Sequence, residues 1–495
     1  MKYDVIIVGS GIAGMSAAIL LAMENKRILL LERHNVFGGL LQTYRRGRLT
    51  FPTGVHSLGS LSEGQVLWRY FKYMGVLDRI ELVPMEQDAF QEFIFPDRSY
   101  TMPTGHEAFR ERILDYFPEE QSAIDQYMRD MAECMRNSPF YQLDSSLNFV
   151  RSPLHTQPFG EYLDRITQSA ELKCVLAASY PLYGIEPREC PTFTHFAVLD
   201  SYLSSAYRVD ERAKPIAKAF LFRLRELGVD MRRMSEVEEI VCEGRNVYGV
   251  RLPDGEFIRS DIVLYTGHPK ELVKRCPALR PAFKWRITEL EDTTSFLSVC
   301  MAWEKCDCPP GRRDIFIYNT RDLNDAIKPW RPRSGAPPSI LYLAALPKPE
   351  RERYPVIAIA AAQFEDWTSW ADVPTGNRGR AYEEQKEGLT DTVIDIVRRQ
   401  WPQSAPSISW VDTNTPLTLR DYTLSPDGTG YGIKKTVSTL GRAQIGAKTS
   451  IKGLLMAGQN SQLPGIMGAV ISTTAACTEI VGHHYLLDRI AAATT

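Results

Sequence analysis

The sequence has no surplus of basic charge: 58 Lys and Arg stand against 60 Asp and Glu, for a formal charge of -2 and a pI near 6.5. Proteins that hold a phosphate backbone draw on such a surplus, so nucleic acid is excluded as an expected partner. It has no run of the ~18–20 consecutive apolar residues that carries a helix across a bilayer. The stretch Val356–Ala362 is far shorter and is bounded by Pro355 and Gln363. Its nine cysteines, scattered from Cys134 to Cys477, form no zinc-ligand or redox pattern, and the closest pair, Cys306 and Cys308, is tighter than a CxxC. No metal is expected, and free thiols suit a reducing compartment. Compositional bias is also absent. With 44% hydrophobic and 24% charged residues, 33 Gly and 31 Pro, the chain fits none of the collagen-like, coiled-coil or disordered classes.

What is present is a folded chain of 495 residues, about three domain lengths at ~150 residues each. Asp4-Val5-Ile6-Ile7-Val8 is a β-branched run without polar alternation, as in a parallel strand buried on both faces. Gly9-Ser10-Gly11-Ile12-Ala13-Gly14 follows, then an Ala- and Leu-rich helical stretch from Met15. In this strand–turn–helix grammar Gly9 permits the tight turn, Gly11 lets a pyrophosphate approach the backbone, and Gly14 allows close helix-to-strand packing. The helix start offers open N–H groups and a positive dipole end to phosphates. A second strand, Arg27 to Leu31, ends in Glu32, placed to accept hydrogen bonds from ribose hydroxyls and to disfavour a 2'-phosphate. The glycines that break the N-terminal apolar stretch, with Glu24 and Lys26 behind them, make it read as folded domain rather than as a leader. The pattern leaves NAD and FAD both open.

Beyond Glu32 come Arg33, Gly38-Gly39-Leu40 and Phe51-Pro52-Thr53-Gly54-Val55-His56. Together with the glycine turn, these residues resemble the flavin-containing amine oxidase and phytoene desaturase superfamily. Within it, TGVHSLGSLSEGQ at Thr53 to Gln65 is similar to the branch of retinol saturases and carotenoid isomerases. The resemblance implies FAD, held at Gly9, Gly11, Ile12, Ala13, Gly14, Glu32, Arg33, Gly38, Gly39, Leu40, Val55 and His56. It also implies that Val237 meets the adenine with its backbone and that Thr266 and Gly267 lie near the cofactor. Near the C-terminus, Gly458-Gln459-Asn460 and the helix opened by Pro464-Gly465-Ile466-Met467 form a second motif. In the family this helix points its N–H groups at the flavin pyrimidine ring, where negative charge collects on reduction. The family carries Asp where this chain has Asn460, whose amide oxygen still accepts a hydrogen bond. Thr415 to Thr418 and the turn Asp427 to Gly432 also look like the retinol saturase branch.

The fold class these signals imply is α/β: a Rossmann-like FAD-binding domain of the GR2 type with an interleaved α+β substrate domain. Residues 1–70, 207–285 and 415–495 are assigned to the first. Residues 71–206, mainly helical, and 286–414, sheet plus helix, are assigned to the second. The hairpin Val247 to Ile258, the strands Ile262–Tyr265, Ser295–Trp303 and Ile340–Ala345, and the helices Gln121–Arg136, Ala213–Leu227 and Tyr382–Arg399 are read from pattern alone. Before Ala213 the family's Gly-Gly is missing.

Enzymes of this group let the flavin accept or donate hydride, so no catalytic triad is expected. His56 and Tyr431 are the candidates for orienting substrate or moving a proton. The resemblance implies a long apolar polyene or isoprenoid-like substrate and a tunnel mouth at a membrane surface; the expected location is the cytoplasm, with peripheral contact at a membrane surface. Trp367, Trp370, Tyr202 and Tyr207 suit such a tunnel and ordinary packing alike. With a single glycine fingerprint there is no separate NADPH domain to read, so the electron donor or acceptor stays open. So do saturation, isomerisation and desaturation. A flavin amine oxidase would keep the same cofactor motifs. The other alternative is a non-enzymatic lipid- or protein-binding module like the Rab GDP-dissociation inhibitors, against which the intact Gly9, Gly11, Gly14, Gly38, Gly39 and the helix start Gly465 to Ala469 argue.

Overall fold

The computed structural model describes residues 2–147, 152–210, 215–304, 310–323, 337–350 and 352–494. Cys306, Cys308 and the stretch Glu211, Arg212 and Ala213 lie outside the described residues.

The strand Val5–Val8 sits at the centre of a five-stranded parallel sheet. The order across that sheet is Asp230–Arg232, Ile28–Leu31, Val5–Val8, Val263–Tyr265, Leu454–Met456. Parallel strands need crossovers, and these cover both faces. Val5, Ile7, Leu30 and Leu264 pack against the helices Ile12–Ala22, Ile216–Glu226 and Gly465–Val481. Ile6, Leu29, Leu31 and Val263 pack against the antiparallel strands Glu239–Glu243, Asn246–Arg251 and Phe257–Arg259 and two short helices. Both faces are apolar, which is why the sequence showed an unbroken β-branched run.

The second sheet has seven strands, in the order Ile408–Asn414, Ser295–Glu304, Arg353–Ala362, Ile340–Ala345, Asp314–Tyr318, Gln91–Ile94, Ser99–Met102. Its pairings are antiparallel except for Asp314–Tyr318 with Gln91–Ile94. The side-chain period of two sorts its residues by face. Leu297, Val299, Leu341, Leu343, Ala358 and Ala360 pack under the helix Arg380–Gln400 through Leu389, Val393 and Val397. Their neighbours Phe296, Ser298, Ile340, Tyr342, Ile359 and Ala361 face the other way, into a cavity. Helices between residues 106 and 204 build a separate aromatic core around Tyr127, Phe159, Tyr162 and Phe196.

The helix Val66–Met74 runs across the boundary drawn at residue 70, and its buried face belongs to the core of the parallel sheet. The strand Ala206–Val209 likewise spans the boundary at 206. Past Ser235 the chain does not enter a strand until Glu239. The Ser235 amide donates instead to the Glu32 carbonyl, which draws this segment to the end of the parallel sheet.

Candidate functional site

A cavity of about 480 Å³ runs from the C-terminal ends of the parallel strands to the free face of the seven-stranded sheet. Of the residues expected at the cofactor, all line it except Gly14 and Gly38. Those two act from behind. A Cβ on Gly14 would lie 1.8 Å from the Gly9 carbonyl oxygen, so only glycine lets the helix sit this close to the strand. Gly38, at φ 125°, aims its amide at the Ser10 hydroxyl, 3.1 Å away.

The cavity end near Gly11 is built for an anion. A Cβ on Gly11 would meet nothing within 4 Å, so the backbone there faces open space. The helix Ile12–Ala22 has neither a side-chain cap nor an acidic residue in its first turn, which leaves its leading N–H groups and dipole uncompensated. Glu32 stands beside this turn. Its Oε2 accepts from the Ser10 amide at 3.0 Å and the Ser10 hydroxyl at 2.6 Å, and its Oε1 accepts from the His34 amide at 2.8 Å. A carboxylate oxygen takes two hydrogen bonds, so Oε1 retains a place for a hydroxyl. Arg33 donates to the Asp421 carbonyl oxygen. The Val237 carbonyl oxygen accepts from Arg275 Nε at 2.9 Å.

Thr266 Oγ1 donates to the Val8 carbonyl at 2.9 Å, tying one strand end to its neighbour. Asn460 Oδ1 accepts the Ile433 amide at 2.9 Å. One lone pair is therefore already spent on holding the glycine-rich turn against the second motif. Gly432 makes room for this contact: at φ 75°, its Cβ would strike Asn460 Oδ1 at 2.1 Å. Lys435, which sequence reading missed, donates to the Gln459 carbonyl at 2.8 Å and has no carboxylate partner among the described residues. Burial pushes its ammonium down to about 7.

The opposite wall carries His56, Ser57, Tyr202, Tyr342 and Tyr431. Behind it lies a buried ion pair, Arg208 with Asp314, at 3.0 Å and 2% and 0% side-chain exposure. Asp314 also accepts from Tyr342 at 2.9 Å and Ser57 at 2.7 Å, while Arg208 donates to the carbonyls of His56 at 3.1 Å and Arg313 at 2.7 Å. Burial, with the Arg208 charge adding to it, holds the His56 imidazole at about 3, so it is neutral. Its ring lies 5.7 Å from that of Tyr342 and has no hydrogen-bond partner among the described residues. The Tyr431 hydroxyl donates to the Pro181 carbonyl at 3.1 Å, and burial raises its pKa. That proton points into the protein, which makes His56 the better placed of the two candidates. Of the four tunnel aromatics only Tyr202 reaches the cavity; Trp367 is packed under the sheet with Trp370 and Tyr382, and Tyr207 meets Ser62.

Among the described residues no three His, Cys, Asp or Glu side chains gather as a metal site, and no helix is long and apolar enough to cross a membrane. The chain is 25% identical over 515 residues to an all-trans-retinol 13,14-reductase of Macaca fascicularis, covering 95% of this chain and 84% of the relative. It is 23% identical over 458 residues to the chloroplastic prolycopene isomerase of Arabidopsis thaliana, covering 87% and 74%. The fold matches a solved oxidoreductase of Methanosarcina mazei with a TM-score of 0.67 at 12% identity, over 96% of this chain and 99% of that one. The family model for flavin containing amine oxidoreductases matches residues 12–332, and the chain belongs to that family.

Proposed function

We propose that the protein is an FAD-dependent oxidoreductase acting on carbon–carbon double bonds of a long apolar, polyene or isoprenoid-like substrate, by saturation, isomerisation or desaturation. The observation that carries this reading is the continuity of one cavity from an anion cradle to an apolar sheet face. The same space that begins at Gly11 and Glu32 ends at Phe296, Phe316, Ile340 and Ile359. The relatives with the reductase and isomerase names support the substrate class.

The donor set fits FAD. The open backbone at Gly11 and the uncapped helix behind it suit the pyrophosphate. Glu32 suits a ribose, and the Val237 amide, without a partner among the described residues, suits an adenine edge. The helix Gly465–Val481 also starts without a side-chain cap or an acidic first turn, so its N-terminus favours negative charge. When bound, FAD supplies hydride exchange with a substrate carbon.

The chain's own residues then orient the substrate, exclude water and move a proton. Phe296, Phe316, Ile340 and Ile359 hold an apolar chain against the sheet and keep the space dry. His56 presents a neutral imidazole, with one N–H to give and one nitrogen to receive, to the cavity where such a substrate would lie. The Arg208–Asp314 pair fixes the His56 carbonyl, the Ser57 hydroxyl and the Tyr342 hydroxyl, so this wall keeps its shape during proton movement.

The test is anaerobic photoreduction of the purified protein followed by addition of a polyene. Return of the oxidised flavin spectrum with a saturated product supports a saturase, and rearranged polyene with the flavin still reduced supports an isomerase. Peroxide formed on amines, with no effect of polyenes, would overturn the reading in favour of an amine oxidase.

A further inference from the structure

Behind the adenosine end of the cavity two thiols face one another. Cys242, on the strand Glu239–Glu243, and Cys276, at the C-terminal end of the helix Pro269–Arg275, lie with their sulfurs 3.8 Å apart across 34 residues of sequence. It is the one sulfur–sulfur contact among the described residues. Cys300, Cys174 and Cys190 instead meet a phenol or a backbone carbonyl.

We propose that Cys242 and Cys276 are a modification site: a dithiol that a hydroperoxide oxidises to a disulfide, which loosens the adenosine wall of the cavity. The coupling to the cofactor rests on the FAD reading above; the oxidation does not.

Three features support the site. First, the two thiols differ in access, since Cys242 is half-buried and Cys276 is fully buried. A peroxide therefore meets Cys242 first. The Cys276 S–H, by donating to it, lowers the Cys242 thiol, while that hydrogen bond and burial raise Cys276. This gives an attacking thiol and a resolving one. Second, the backbone at Cys242 has slack. Glu239–Glu243 is an edge strand, and its register slips between Val241 and Cys242. A bulged edge yields to a small pull, and closing 3.8 Å to a disulfide bond asks for about 1.8 Å. Third, Cys276 adjoins the wall. Arg275, next to Cys276, donates to the Val237 carbonyl at 2.9 Å and to Glu236 Oε1 at 2.9 Å, and all three residues line the cavity.

The electrons balance. With hydrogen peroxide, the Cys242 thiolate attacks one peroxide oxygen; an S–O bond forms, the O–O bond breaks, and the departing hydroxide takes up the proton lost by the thiol and leaves as one water (an organic hydroperoxide would release its alcohol instead). The Cys276 sulfur then attacks the sulfenic sulfur; an S–S bond forms, the S–O bond breaks and a second water leaves, so the two thiol hydrogens end in the waters. The disulfide draws the end of the helix toward the strand and spoils the Arg275–Val237 hydrogen bond.

The test treats the flavin-loaded protein with hydrogen peroxide, quenches it with an alkylating agent and maps peptides without reduction. The expected result is a linked 242–276 peptide, reversed by dithiothreitol and absent from Cys242→Ser. With it, FAD affinity measured by flavin fluorescence falls roughly three- to tenfold, the factor for one lost hydrogen bond. Cys242→Ser binds FAD as the untreated protein does, before and after peroxide. Cys242 recovered as a sulfinic acid without the link, or a link that leaves FAD affinity unchanged, overturns the proposal. A thiol-form protein that binds no FAD overturns the functional reading instead, and the peptide map still decides whether the link forms.

Discussion

Ser10 and Glu32 hold each other at the mouth of the first βαβ unit. The serine hydroxyl donates to Glu32 Oε2 at 2.6 Å, its amide donates to the same oxygen at 3.0 Å, and its oxygen accepts the Gly38 amide at 3.1 Å. One small side chain thus fixes the acid beside the first glycine turn and the second glycine turn together. A carboxylate that arrives already oriented loses less freedom when a ligand binds.

Ser10→Ala should keep the fold and weaken flavin binding about threefold to tenfold, the effect of one missing hydrogen bond. Glu32→Gln should weaken it further, by roughly ten- to a hundredfold, because a charge-assisted acceptor is lost and the amide N–H must face either the Ser10 donors or the His34 amide. Fluorescence titration of the flavin-free protein checks both values.

Gly11 and Gly14, three residues apart, should fail in opposite ways. Gly14→Ala places a methyl 1.8 Å from the Gly9 oxygen. The protein should lose about 3 kcal/mol or more of stability, or not fold at all. Gly11→Ala fills open space and should melt like the parent when flavin-free, yet purify colourless. Thermal melts set beside the absorbance at the flavin band separate the two.

The Arg208–Asp314 pair should be costly to break and cheap to replace. Asp314→Leu alone leaves a buried guanidinium without its partner and should destabilise the protein by about 3–5 kcal/mol. Arg208→Met combined with Asp314→Leu should recover most of that loss, while the reaction at the His56 wall falls because the His56 carbonyl and the Tyr342 hydroxyl are no longer held. Urea unfolding measures the first effect and single-turnover kinetics the second.

His195 accounts for a sensitivity to acid. It is fully buried, stacks on Phe159 at 3.8 Å and shares hydrogen bonds with Tyr127 at 2.7 Å and Tyr183 at 2.9 Å. Burial holds its imidazole at about 3, against 6.5 in the unfolded chain. The unfolded state therefore binds a proton that the folded state refuses, and stability falls as pH drops from 6.5 toward 3, by about 1.4 kcal/mol per unit. His195→Gln should flatten that slope in urea midpoints taken between pH 4 and 7.

The parallel-sheet half of the molecule was legible because its pattern is local. Gly9, Gly11, Gly14 and Glu32 sit within one strand–turn–helix–strand unit, and the spacing alone places the acid beside the turn. The strands Ser295–Trp303 and Ile340–Ala345 and the helix Gln121–Arg136 were legible as well, from unbroken apolar runs or clean amphipathic spacing. The strands Asp314–Tyr318 and Ile408–Asn414 were not. The first is five residues with a buried acid at its head, and the second alternates with Trp410 and Asp412, so neither stands out from a loop. The buried pair was invisible for a different reason: Arg208 and Asp314 are 106 residues apart, and nothing near either one announces the other. Ser10 lay in plain view inside the glycine turn, but its role depends on where Gly38 and Glu32 come to rest.

The parallel sheet takes its strands from residues 5–8, 28–31, 230–232, 263–265 and 454–456. During synthesis, the strand and turn that begin the cofactor site leave the ribosome first, and Leu454–Met456 with the helix Gly465–Val481 emerges more than four hundred residues later. A nascent chain therefore displays a glycine cradle long before it owns the helix that faces it. Flavin capture waits for that helix, and a premature stop ahead of residue 454 removes an edge strand of the sheet along with the helix that faces the cradle.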